Sequence, residues 1–128
     1  MFGEKNIYGQ SVIGCDAKKR IILPSFTHAE KDDQLLIVDK QEYLAIYRED
    51  EYEKILAEYE KKYLTYDLTK KREADIMLLK IYSEILRKVE CDSQKRICLG
   101  NIVDGGQILC IGAKNHLILT KTKKWINN

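Results

Sequence analysis

Proline occurs once and glycine seven times in the 128 residues, which excludes collagen-like and Pro/Gly-rich disordered chains. No apolar run approaches the roughly 18 residues of a membrane span, and the first ten residues lack the apolar centre of a signal peptide, so a cytoplasmic protein is expected. The four cysteines, Cys15, Cys91, Cys98 and Cys110, include no C-x-x-C pair. Neither a zinc ribbon nor a thioredoxin-like motif is therefore written here, and reduced, packed thiols are the default. His28 and His116 have no acidic or cysteine partner at ligand spacing, so no metal or cofactor is expected. There is no phosphate-binding glycine loop, no nucleophile elbow and no recognisable pair of carboxylates, and an enzyme is not expected.

What remains is a chain that can bury a core, 45% hydrophobic and 33% charged, of a length suited to one domain over residues 1–128. The net charge of +2 says little about partners, but its distribution is uneven. Residues 41–60 carry 2 basic and 7 acidic groups, whereas residues 91–128 carry 6 and 2. Different faces of one fold should therefore meet different partners.

An internal repeat organises the chain. Residues 15–23, Cys-Asp-Ala-Lys-Lys-Arg-Ile-Ile-Leu, align without a gap to residues 91–99, Cys-Asp-Ser-Gln-Lys-Arg-Ile-Cys-Leu. Further on, Gln34 to Val38 aligns with Gln107 to Ile111, Tyr43 to Ile46 with His116 to Leu119, and the register reaches Tyr52 opposite Trp125. Repeat one is thus read as residues 8–51 and repeat two as 91–125, around an insert at 52–90. Within each copy, runs rich in Ile, Leu and Val (20–23, 35–38 and 43–47 in the first) are bounded by turn formers, the signature of strands. Four-residue connections at 39–42 and 112–115 fit hairpins. Two such units, each too small to be stable alone, should pair about a pseudo-two-fold axis into one α+β barrel.

The insert reads as helix. Tyr52, Ile55, Leu56, Tyr59 and Tyr63 form one apolar stripe, and Asp50 with Glu53 imitates a capping box. A second helix is predicted over 70–90, started by Asp67 or Thr69. Ala74, Met77, Leu78, Ile81 and Ile85 lie on one side of it, and Ile76, Leu79, Tyr82, Leu86 and Val89 on the other. A helix apolar on both sides needs a second partner: either an oligomer contact, or a central position between the barrel and the first helix.

The repeated Asp-x-x-Lys-Arg segment, with Pro24 after the first copy, carries the functional reading. Arg20 and Arg96 can donate bidentately to guanine or clamp a phosphate. Lys18, Lys19 and Lys95, with Gln94, add contacts that fix register on the backbone. Asp16 and Asp92 cannot favour DNA by charge; they orient the arginines four residues later or cap the turn through backbone N–H groups. The bland alternative is a solvated turn, which the recurrence of the motif makes the weaker reading. Lys114, Lys121, Lys123 and Lys124 near Trp125 are a second basic candidate, although lysines on a strand edge more commonly discourage aggregation.

These residues, together with the Met1-Phe2-Gly3 start, the Tyr52 helix and the long second helix, resemble the MraZ family of bacterial transcriptional regulators in the AbrB/SpoVT swapped-hairpin superfamily. That family carries two D-x-x-G-R segments, each followed by alternating apolar residues and Pro, with helices between. The resemblance implies a double-split β-barrel, a ring-like or other homo-oligomer, and a nucleoid-associated regulator of its own operon that binds double-stranded DNA at repeated upstream sites. Two departures stand out: Lys19 and Lys95 replace the motif glycine, and Gly100 replaces the second proline. The alternative is a protein that keeps the fold to bind another protein, as an antitoxin does.

Overall fold

The computed structural model describes residues 1–64 and 70–121. It is a mixed α+β fold with eight strands and two helices among the described residues. Strands β1 (Gln10–Cys15), β2 (Arg20–Ile22), β3 (Gln34–Asp39) and β4 (Leu44–Arg48) are followed by helices α1 (Glu49–Leu64) and α2 (Lys71–Ser83). Strands β5 (Ile85–Glu90), β6 (Arg96–Cys98), β7 (Gly106–Gly112) and β8 (His116–Lys121) complete the order. Six strands form an open antiparallel sheet in the order β1-β7-β8-β4-β3-β5, and β2 and β6 form a separate antiparallel ribbon.

That order is a palindrome of the repeat. Exchanging β1 with β5, β3 with β7 and β4 with β8 reverses the list into itself. The registers agree: Ile21 pairs with its own equivalent Ile97 in the ribbon, and Ala45 with its equivalent Ile118 in the sheet. A pseudo-two-fold axis therefore runs through both pairs. Beneath it, Ile21, Leu23, Ile97 and Leu99 of the ribbon are buried against Leu35, Ile37, Ile46, Leu117 and Leu119 of the sheet. Neither half encloses this core alone, which is why the two copies fold together.

The two hairpin turns match as well. Gln41 (φ 76°) and Lys114 (φ 72°) hold equivalent left-handed positions, and Lys40 N donates to Tyr43 O as Ala113 N does to His116 O. On the other side of the sheet, α1 lays Tyr52, Ile55 and Leu56 over Leu36, Val38, Ala45 and Tyr47.

Three expectations for the insert differ from the structure. The second helix ends at Ser83, not at residue 90, and residues 85–90 are strand β5 on the free edge of β3. Ser83 Oγ donates back to Lys80 O at the helix end, and Val89 pairs with Leu35. The repeat thus begins one strand earlier than Cys91, as β1 also shows. Second, Asp50 is not a cap. Strand β4 runs straight into α1 at Glu49, so Asp50 sits in the first turn, where it accepts a hydrogen bond from Arg48 Nε. Third, Val89 is buried in the strand, leaving Ile76, Leu79, Tyr82 and Leu86 as exposed apolar residues. Asp67 and Thr69, proposed as helix starts, lie outside the described residues, as do Trp125, Lys123 and Lys124.

Candidate nucleic-acid interface

Each Asp-x-x-Lys-Arg segment is a tight loop closed by its own aspartate. Asp16 Oδ1 accepts from the backbone N–H of Lys18 and of Arg20, both at 2.9 Å, and Oδ2 accepts from Arg20 Nε at 2.8 Å. In the second loop Asp92 Oδ1 accepts from Gln94 N at 2.9 Å and Arg96 N at 2.8 Å, and Oδ2 from Arg96 Nε at 2.8 Å. One carboxylate thus caps the turn and aims the arginine at once. The arginine's backbone N–H first, and its guanidinium after that, hold both carboxyls below the usual carboxylate range, so both are ionised near neutral pH.

The lysines at the glycine position accept the left-handed backbone the turn demands: Lys19 has φ 62° and Lys95 φ 61°. That conformation costs a non-glycine residue about 1–2 kcal/mol. Each pays the cost while bridging the copies, since Leu99 N donates to Lys19 O and Leu23 N to Lys95 O, both at 2.8 Å. Gly100 has φ 58°, a value closed to proline. The proline missing from the second copy is therefore incompatible with its backbone.

Strand alternation places the two arginines together. Ile21 and Ile97 point into the core, so Arg20, Ile22, Arg96 and Cys98 share the outer face of the ribbon. Arg20 lies opposite Cys98 and Arg96 opposite Ile22, which makes the arginines diagonal neighbours with backbones roughly 7–8 Å apart. Among the described residues nothing engages Nη1 or Nη2 of either arginine, so each keeps an open guanidinium edge held from behind by its aspartate.

The remaining predicted residues divide. Lys18, Gln94 and Lys95 are exposed on the loops, whereas Lys19 is half-buried and its ammonium is tied to the Asp104 carbonyl. Lys114, from the second basic candidate, sits at the tip of the β7–β8 turn, and its backbone pairs with Ile7. Sequence reasoning missed Ile22, which is 59% exposed between the arginines; counting strand alternation outward from Arg20 would have found it.

All four cysteines are free. Burial pushes the Cys91 thiol up to about 11 and the Cys110 thiol up to about 12, so these two are protonated at neutral pH. Among the described residues no cluster of three His, Cys, Asp or Glu could hold a metal ion, and no helix is long and apolar enough to cross a membrane.

Compared with protein-family models and with the curated proteins, the chain matches none. The functional reading therefore rests on this geometry and on the motif resemblance.

Proposed function

We propose that the protein is a cytoplasmic, nucleoid-associated transcriptional regulator of the MraZ type, a binding protein with no chemistry of its own. The observation that carries this reading is the pair of open guanidinium edges, Arg20 and Arg96, on one face across the pseudo-dyad, each backed by an aspartate. In this reading the ribbon and sheet are the two parts of a double-split barrel whose loops enter the major groove. There the arginines read guanine while Lys18 and Lys95 contact phosphates. Five basic against two acidic side chains in the loops leave the face cationic.

Ile76, Leu79 and Tyr82 of α2 are exposed, Leu79 to 72%, which supports burial against further copies in a homo-oligomer. Several copies on tandem sites would then bind with avidity. The test is a mobility-shift titration on DNA from upstream of the protein's own gene against scrambled DNA of equal length, at about 50 and 200 mM salt. The expected result is preference for the upstream DNA and a fall in log K with log salt of about 0.9 per phosphate neutralised. Equal affinity for both DNAs, or a flat salt dependence, would overturn the proposal in favour of a protein partner.

A further inference from the structure

The pseudo-symmetry exposes a difference between two equivalent clefts, and that difference points to a binding site independent of the DNA reading. In the first cleft lies the chain's own N-terminal segment, residues 1–8, with Phe2 and Ile7 fully buried. Its backbone is held at both ends: Gly3 N donates to Thr27 O at 3.0 Å, and Ile7 N to Lys114 O at 2.7 Å. Ile7 O in turn accepts from Lys114 N.

The repeat carries Lys114 onto Gln41, Leu35 onto Ile108 and Ile46 onto Leu119. Those three equivalents all line a second cleft of about 940 Å³, which Leu86, Tyr43 and Val103 also border. It is open for a covalent reason. Strand β1 is preceded by a segment, turned where Glu4 N donates to Met1 O, that enters its cleft, whereas the equivalent β5 is preceded by α2, which packs on α1 instead. Among the described residues nothing donates to the Gln41 carbonyl, although its counterpart Lys114 O accepts from Ile7 N.

We propose that this second cleft binds a short peptide segment of a partner protein, in the manner of the chain's own residues 1–8. A large apolar side chain would seat over Ile108 and Leu119. A backbone N–H would donate to the Gln41 carbonyl, as Ile7 N donates to Lys114 O in the filled cleft. The equivalent cleft is filled by a peptide segment, residues 1–8, which favours a peptide here as well. One feature sets the specificity apart. Gly112 lets Ile7 approach so closely that a Cβ there would lie 2.7 Å from Ile7 O, whereas the equivalent residue is Asp39. The preferred ligand must stand further off at that end, so residues 1–8 are a serviceable probe and not the best ligand.

The test uses the full chain and a synthetic peptide of residues 1–8 labelled at its C-terminus, read by fluorescence anisotropy. Saturable binding with a dissociation constant below about 1 mM is expected. Val103→Arg, and separately Leu86→Asp on the exposed lip, should weaken it by at least about tenfold. Leu86→Asp keeps the test readable if Val103→Arg does not fold. No binding overturns the proposal. So does equal binding to both folded variants, which would mean that the peptide displaces the resident N-terminal segment. Binding that emerges only when the chain is shortened to residues 1–121 would assign the cleft to the chain's own end, and binding lost on oligomerisation to a second copy; either result also overturns it.

Discussion

The two copies of the repeat agree to within 0.1 Å in the hydrogen bonds of their Asp-x-x-Lys-Arg loops and differ in what covers the sheet and in how each loop is entered. The outer sheet face of the first copy, Leu36, Val38, Ala45 and Tyr47, is buried under α1. Its equivalents in the second, Leu109, Ile111, Ile118 and Thr120, are only half-buried. The first copy enters its loop from a straight β1. In the second, β5 slips register between Ile37 and Val38 of its partner strand, a bulge that β1 lacks. Loop geometry is thus insulated from its surroundings, because every bond that closes it joins residues no more than four apart. The attachments follow from what the chain does before and after each copy.

This division can be broken in several places. The largest effect should come from Arg20→Ala and Arg96→Ala. A bidentate contact to guanine is worth roughly 1–3 kcal/mol, so each change should lower specific DNA binding about 10- to 100-fold and non-specific binding far less. Avidity should multiply the loss in an oligomer. Titrations on specific and scrambled DNA read the difference, and a loss at one arginine alone would show that the copies are not equivalent readers.

Next come Ile21→Ala and Ile97→Ala, paired across the dyad and each 1% exposed. Both should destabilise by about 2–5 kcal/mol in urea unfolding, and by similar amounts. Unequal losses would mean that the unequal attachments reach the centre of the core.

A smaller, opposite effect is expected from Lys95→Gly, which relieves a left-handed φ and should stabilise by about 0.5–1 kcal/mol. Lys19→Gly should gain less, since it also gives up the bond to Asp104 O. Differential denaturation of the two variants distinguishes them.

The smallest effect concerns the seam between the copies, where His116 of the second stacks on Tyr47 of the first at 4.5 Å. Burial first, and the charge of Lys40 after it, lower the His116 pKa below its ordinary value. The folded state thus binds the proton less readily than the unfolded chain. Stability from this site is full above about pH 6.5 and falls as pH drops from there toward the folded pKa. Urea midpoints at about pH 7.5 and 5.5 should differ in that direction, and His116→Phe should reduce the difference. The two loop carboxylates, already ionised throughout that range, add no slope there.

The amino-acid sequence by itself determined the repeat, the loops with Asp16 and Asp92 behind Arg20 and Arg96, and the hairpins at 39–42 and 112–115. The repeat is written directly in the residue types, and the loops and hairpins are local devices whose partners lie within a few residues, so their residue types suffice to specify them. Tertiary structure alone decided the fate of residues 85–90. Ile85 and Val89 are four apart and suit a helix face, yet they also fit a strand, and short-range preference does not separate the two. The unpaired edge of β3, with Leu35 and Ile37 fully buried, settled the matter by supplying a partner more than forty residues away in the chain. The same holds for the common face of the two arginines and for the open cleft beside β5. Both depend on where the pseudo-dyad falls and on which segment precedes each copy, and those are properties of the packed chain.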